Sequence, residues 1–387
     1  MPPVVCIISY IFIIIYFNLK IIYNNMVGGS MSNSLDKKIG QRFIFGVNNE
    51  NVNDIVNLIR NAYIGGVILY KKNYSSYRDM LSVINKMKEA NKDNDVPLFI
   101  AIDQEGGIVN RLPKEFHLLR NITDVSNVDK WLVKDYSNII SEILNKSGIN
   151  MNFSPVLDIY NDSKSKALCK RCFASDAHTV ERLGEIYIEA HNGNNVVAVA
   201  KHFPGHGISS LDSHFFIPYT FNYREVMNKH MLPFYRVTDI ADAIMVGHIA
   251  VRKLTGLLPA SMSNKFISNY LRNKFEGLII TDEVNMLKHN PIYRFLYLNM
   301  ILKTPSDMVL IKIANEAEGY KIVNKYKKMI LKSEEEVKKL DYIYERIRNV
   351  KKKYNIDDNI ISNGINIDKI NKEIDRINSL VDAGRKD

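Results

Sequence analysis

Val196-Val-Ala-Val-Ala-Lys-His202 is a continuous apolar run that ends in two ionisable residues, and Phe203-Pro-Gly-His-Gly207 follows it at once. A strand wetted on one face alternates apolar and polar residues, so an unbroken run signals a strand covered on both faces. The pattern recurs along the chain. It is found in Arg42-Phe-Ile-Phe-Gly46, Gly66-Val-Ile-Leu-Tyr70, Leu98-Phe-Ile-Ala-Ile-Asp103 and Met151-Asn-Phe-Ser-Pro-Val-Leu-Asp158. It returns in Ala243-Ile-Met-Val-Gly-His248, Gly277-Leu-Ile-Ile-Thr-Asp282 and Asp307-Met-Val-Leu-Ile311. Segments such as 53–62, 77–90, 180–191 and 266–274 lie between these runs and carry apolar residues at helical spacing. Eight β/α units over about 310 residues predict a TIM-type (β/α)8 barrel. A doubly wound open sheet is the competing arrangement, but no Gly-rich phosphate fingerprint follows the first strand.

Several runs end in a polar, reactive residue: Asp103, Asp158, His202, His248 and Asp282. In a barrel the C-terminal ends of the strands converge on one face, where active sites are built. A single such Asp is explained by capping of the next helix. Five converging residues are not.

The bulk numbers fit this picture. The chain has 387 residues, 46% hydrophobic and 24% charged, as a protein with a full core requires. The formal net charge of +10 raises the question of nucleic acid. Much of the excess lies between Lys321 and Lys353, where twelve Lys or Arg face five Asp or Glu at helical spacing. That pattern reads as a solvated helix face, and no nucleic-acid partner is expected. Three cysteines, Cys6, Cys169 and Cys172, argue against a disulfide framework. Cys169 and Cys172 have metal or redox spacing but no second pair to complete a site, so the spacing reads as coincidence.

The densest chemistry is Lys201-His-Phe-Pro-Gly-His-Gly207 followed by Asp212-Ser-His214. Pro and two Gly after a strand force a loop. On it Asp212 can accept from the ring of His214, fixing the tautomer and leaving the other nitrogen for proton transfer. The same Asp/His mix suits zinc, so composition alone leaves a metalloenzyme built on His202, His206 and His214 open.

This stretch closely resembles the signature of glycoside hydrolase family 3 β-N-acetylhexosaminidases of the NagZ type. Further segments are similar in the same order: Ala101-Ile-Asp-Gln-Glu-Gly-Gly-Ile-Val-Asn-Arg-Leu112, 148–158, Arg171-Cys-Phe-Ala-Ser-Asp176, and Pro259-Ala-Ser-Met-Ser leading to 277–286. The resemblance runs from about Gly40 to Asn355. It implies a retaining exo-β-N-acetylglucosaminidase acting on peptidoglycan-derived muropeptides of the GlcNAc-anhydro-MurNAc type. It implies Asp282 as the nucleophile and His214 as the general acid/base, oriented by Asp212. It implies Asp103, Arg111, Arg171, Lys201 and His202 as substrate-binding residues, with no cofactor and no metal. Asp158, His206 and His248 are read as supporting hydrogen-bonding groups, and Glu105 and Glu283 as structural.

The chain departs from the family pattern at Ile208, at Gly247 and at Lys303-Thr-Pro-Ser306, which touches substrate geometry rather than the nucleophile. A β-glycoside phosphorylase, a β-glucosidase on the same site and a non-catalytic glycan-binding barrel are the alternatives. The expected organisation is an apolar extension and linker over 1–38, the catalytic barrel over 39–355 and a tail over 356–387, loosely packed apart from a short helix at 368–381. Relatives imply a cytoplasmic, monomeric protein. The apolar stretch Val4–Phe17 points instead to a membrane anchor or export, if it is part of the mature chain.

Overall fold

The structure, a computed structural model, describes residues 34–47, 52–160, 168–208, 218–289 and 296–384. The apolar stretch Val4–Phe17, Cys6, Asp212 and His214 lie outside the described residues.

All eight apolar runs form strands. They are β1 (Phe43–Val47), β2 (Gly66–Leu69), β3 (Phe99–Ile102), β4 (Met151–Asn152), β5 (Val197–Phe203), β6 (Ala243–Val246), β7 (Leu278–Thr281) and β8 (Val309–Ile313). Each pairs in parallel with its sequence neighbour, and β8 pairs with β1 through Phe43↔Val309 to Val47↔Ile313. A parallel bridge between Ile280 and Met308 joins β7 to the start of β8 and closes the ring. This is the expected TIM-type barrel, and a closed ring leaves no sheet edge exposed.

Helices follow the strands as the periodicity predicts. They include α1 (Asn53–Ala62), α2 (Tyr77–Asn91), α3 (Lys130–Lys146) and α4 (Ala177–Gly193). Two have side-chain caps at the start: Ser76 accepts from the backbone N–H of Asp79 at 3.2 Å, and Asp176 from that of Thr179 at 2.9 Å. Each satisfies an N–H that the first turn leaves unpaired.

Every second strand residue points into the barrel. Ile44, Phe99, Ala101, Met151, Val197, Val199, Met245, Leu278, Ile280 and Leu310 fill its interior. The basic stretch forms α5 (Glu316–Ile330) and α6 (Glu334–Lys353). Most of its cations are solvated as expected, but α6 also closes the base of the barrel. Ile343, Ile347, Val350 and Tyr354 join the interior cluster. Arg346 pairs with buried Asp307, and Lys351 is buried against Gln41 Oε1 and the Gly65 carbonyl, both at 2.8 Å.

The C-terminal segment departs from the expected loose tail. Residues 367–384 form the helix α7 (Ile367–Gly384), somewhat longer than expected, with Ile370, Ile374, Ile377 and Val381 buried. The segment before α7 is bonded in as well. Asp358 accepts from Leu98 N at the start of β3, and Ile361 exchanges two hydrogen bonds with Asn85. Among the described residues no helix is long and apolar enough to cross a membrane.

Candidate active site

The mouth of the barrel collects Asp103 after β3, Asp158 after β4, Lys201 and His202 on β5, His248 after β6 and Asp282 after β7. The loop after β3 rises from a polar scaffold. Gln104 N donates to Asn152 Oδ1, and Asn152 Nδ2 returns a bond to the Gln104 carbonyl, both at 3.0 Å. Gln104 Oε1 accepts from the backbone N–H of Arg111 at 2.8 Å. This fixes the hairpin that carries Asp103, Glu105 and Arg111.

Four ionised groups form one chain. The Lys201 ammonium lies 2.9 Å from Asp103 Oδ1 and 2.7 Å from Glu105 Oε1. Arg171 donates from Nε and Nη2 to the two oxygens of Glu105, at 2.8 Å each. Burial pushes the Glu105 carboxyl up, but Lys201 and Arg171 outweigh it and hold the group at about 2. Burial also works against the charge on Lys201, and Asp103 with Glu105 raises it above its usual value. Glu105 is therefore the buried counter-ion of the site. Arg171 commits two N–H groups to it, the structural ion pair that competes with a purely sugar-binding role.

A second cluster surrounds Asp158. Its carboxylate takes His202 Nδ1 at 2.7 Å and the backbone N–H of His206 at 2.6 Å. A carboxylate only accepts here, so His202 carries its proton on Nδ1 and leaves Nε2 for a ligand. His206 stacks edge-on to His202 with ring centroids 5.5 Å apart. Burial and His202 push His206 down to about 4, so it is neutral near pH 7. His248 is lowered by burial. Its Nε2 meets the Glu283 carbonyl at 2.9 Å, which makes Nε2 the protonated nitrogen, and its Nδ1 meets Ser261 Oγ at 2.6 Å.

Asp282 stands beside these imidazoles. Burial acts to raise its carboxyl, but His202, His248 and the Glu283 N–H hold it at about 2. That N–H donates to Asp282 Oδ1 at 2.7 Å. The result is an anion aimed into a cleft of neutral and cationic donors, suited to attack on an electrophilic carbon. Neighbouring Glu283 is raised by burial, against N–H donors from Lys312 and Asn285. It braces β7 against β8 through Lys312 N at 3.0 Å.

One site residue escapes a reading of the sequence, and a second shows there only as a departure from the family pattern. Tyr70 closes β2, and its buried hydroxyl is pushed far up by burial, with Glu283 and Asp103 adding to the effect and Arg111 opposing it. Its position at a strand end was the available signal. Gly247 is the other. A Cβ there would lie 2.9 Å from both Cδ2 and Nε2 of His206 and 3.0 Å from His202 Cβ. The departure from the family pattern makes room for the His206 ring. A further departure, Lys303-Thr-Pro-Ser306, lies at the base, where the Thr304 and Ser306 carbonyls accept from Arg42 at 3.1 and 3.0 Å. Cys169 and Cys172 are free thiols.

A family model described as the glycosyl hydrolase family 3 N terminal domain matches residues 34–350. The chain belongs to glycosyl hydrolase family 3. The Beta-hexosaminidase A of Pseudoalteromonas piscicida is 30% identical over 257 residues, which cover 60% of this chain and 43% of that protein. The chain thus spans less than half the length of that relative. The Beta-hexosaminidase of Nitrosospira multiformis is 28% identical over 268 residues, covering 65% of this chain and 74% of its own. A solved glycoside hydrolase family 3 beta-N-acetylglucosaminidase from a Paenibacillus species superimposes with a TM-score of 0.78 at 26% identity, over 88% of this chain and 68% of that one. For this family 3 chain, the resembling segments 101–112, 148–158, 201–207 and 277–286 run along or directly after β3, β4, β5 and β7, and so reach one mouth.

Proposed function

We propose that the chain is a retaining exo-β-N-acetylglucosaminidase. The observation that carries this is Asp282: a carboxylate held ionised at about 2 at the end of β7, in the mouth shared with Asp103, Lys201 and His202. In this reading Asp282 attacks the anomeric carbon and forms a covalent glycosyl-enzyme, which water then hydrolyses with retention. His214, oriented by Asp212, protonates the leaving oxygen and then activates the water, as the family resemblance implies. An imidazole titrates near neutrality and serves both steps. Asp103 accepts from sugar hydroxyls. The ammonium of Lys201 has three N–H groups and gives two to Asp103 and Glu105, which leaves one for the substrate. His202 Nε2 and Arg111 line the same space, and Arg171 acts there through Glu105.

The names of the similar proteins support N-acetylhexosamine as the sugar. Muropeptides of the GlcNAc-anhydro-MurNAc type are the substrates we propose, with a cytoplasmic, monomeric enzyme. The test is release of nitrophenol from the aryl β-GlcNAc glycoside, with the aryl β-glucoside as control and phosphate added in a third arm. GlcNAc release and loss of turnover by about 1,000-fold or more in Asp282→Asn, as for removal of a nucleophile, are expected. Equal glucoside release, GlcNAc-1-phosphate as the product, or an active Asp282→Asn variant overturns the reading.

A further inference from the structure

α7 lies beyond the matched family domain, which ends at residue 350, yet it is bonded to the loop that carries the substrate-facing side chains. Asn371 and Asn378 are seven residues apart, two helical turns, so they share a face. Asn371 Oδ1 accepts from His117 N and its Nδ2 donates to the Glu115 carbonyl, both at 2.9 Å. Asn378 repeats the pattern three residues on. Its Oδ1 accepts from Arg120 N at 3.0 Å, and its Nδ2 donates to the Leu118 carbonyl at 2.9 Å. Each side-chain amide thus pairs with the backbone as a neighbouring strand does, taking an N–H and the carbonyl two residues before it. Two side-chain contacts flank them, a hydrogen bond between His117 Nδ1 and Asp375 Oδ1 at 2.8 Å and an ion pair of Arg120 with Asp382 at 2.6 Å.

The backbone held in this way is itself tied to the site. The carbonyl of Leu119 accepts from Gly107 N at 3.1 Å. Tyr136 OH bridges the carbonyls of Arg120 and Glu105, at 3.1 and 2.9 Å. Gly106 and Gly107 have φ of 82° and 56°, and a Cβ on Gly107 would meet Asn121 Oδ1 at 2.4 Å. The turn after Glu105 therefore cannot shift without disturbing residues 118–121. A continuous chain of bonds runs from α7 through 115–120 to the turn beside Glu105, the counter-ion of Lys201 and Arg171.

We infer that α7 is a strap that sets the substrate loop, and that Asn371 and Asn378 are positioning residues for sugar binding by Asp103, Lys201 and Arg111. The inference rests on the glycosidase reading of that site. The strap acts on the loop that binds the sugar and leaves the Asp282 strand untouched, so its loss weakens substrate binding more than the chemical step.

The experiment compares the full chain with its Asn371→Ala/Asn378→Ala double variant. In amide hydrogen exchange, His117 and Arg120 lose protection directly, and Gly107 loses it through the transmitted contact. On the aryl β-GlcNAc glycoside, KM rises by about tenfold while kcat stays within about threefold, the pattern of lost uniform binding. Asn371→Gln/Asn378→Gln keeps both amide functions and restores part of the KM. Asn378→Ala alone serves if the double variant fails to fold, with exchange read at Arg120 and Gly107. Unchanged exchange at Gly107, or faster exchange with KM unmoved, overturns the inference. A wild-type chain that cleaves neither glycoside overturns the glycosidase reading instead, and the exchange arm still decides whether the strap holds the loop.

Discussion

Glu105 shows how much one buried carboxylate organises. It accepts from both Lys201 and Arg171, and its side chain is only 4% exposed. Removing one partner of a buried ionic network leaves uncompensated charge and costs about 3–5 kcal/mol. Glu105→Gln therefore lowers stability by that order in urea titrations at pH 7. The sign with pH follows from the direction of the shift. A carboxyl held at about 2 against 4.5 when unfolded contributes stability above pH 4.5 and loses it as pH falls toward 2. The gap between wild type and Glu105→Gln accordingly narrows below pH 4.5, and a constant gap contradicts the assignment. Gly247 makes the opposite argument, from space. Overpacking by one methyl costs roughly 1–3 kcal/mol where neighbours must shift, and here the neighbours are the His206 ring and His202. Gly247→Ala is expected to lower kcat/KM by about tenfold or more with a smaller effect on melting temperature. Unchanged kinetics would show that His206 can move freely.

At the scale of elements, α6 closes the barrel base in place of a simple outer layer. Ile347 is fully buried among the side chains inside the barrel. Truncating such a residue costs about 2–5 kcal/mol, the transfer energy plus the cavity left behind. Ile347→Ala is expected to destabilise by that amount in thermal or urea unfolding. It should leave KM and kcat near wild type at temperatures where the protein is folded, because the base lies at the opposite end from the mouth. A selective loss of activity at full stability would contradict this division between a stabilising base and a reactive mouth. α7 departs from it: it lies on the outside of the barrel and is bonded to the mouth.

The whole molecule concentrates buried charge at both ends of the barrel. At the mouth the charges are paired with one another, Lys201 with Asp103 and Glu105, and Glu105 with Arg171. At the base Lys351 has Gln41 Oε1 and the Gly65 carbonyl as acceptors, with the Phe99 ring 4.6 Å away. Burial lowers its ammonium from 10.5 to about 7, and the more distant Asp358 opposes this only weakly. A lysine whose folded value is depressed binds fewer protons folded than unfolded between pH 7 and 10.5, so folding strengthens as pH rises through that window. At about 1.4 kcal/mol per pH unit of difference, the effect is on the order of 2–4 kcal/mol. Urea midpoints of wild type measured against Lys351→Met should therefore shift in favour of wild type from pH 7 to pH 10. Parallel pH profiles would show that Lys351 stays charged in the fold.

The sequence by itself determined the eight strands, the face on which they converge and the reactive residues at their ends. Those features are local: an unbroken apolar run identifies a covered strand, and the residue that ends it reaches the mouth whatever the helices do. The resemblance carried by 201–214 added roles that residue types alone left open, zinc against proton transfer above all. Only the tertiary structure decided which charges meet. Glu105 and Arg171 are 66 positions apart and Gln41 and Lys351 are 310 apart, so no spacing rule pairs them. It also decided that Arg171 is bound to a carboxylate, that Gly247 is the space for His206, and that the charge-rich helix ends inside the barrel base. The segment after Asn355 is the clearest case. Its polar, Asn-rich composition reads as a tail, because side-chain amides that bond another segment's backbone look in sequence like amides that bond water.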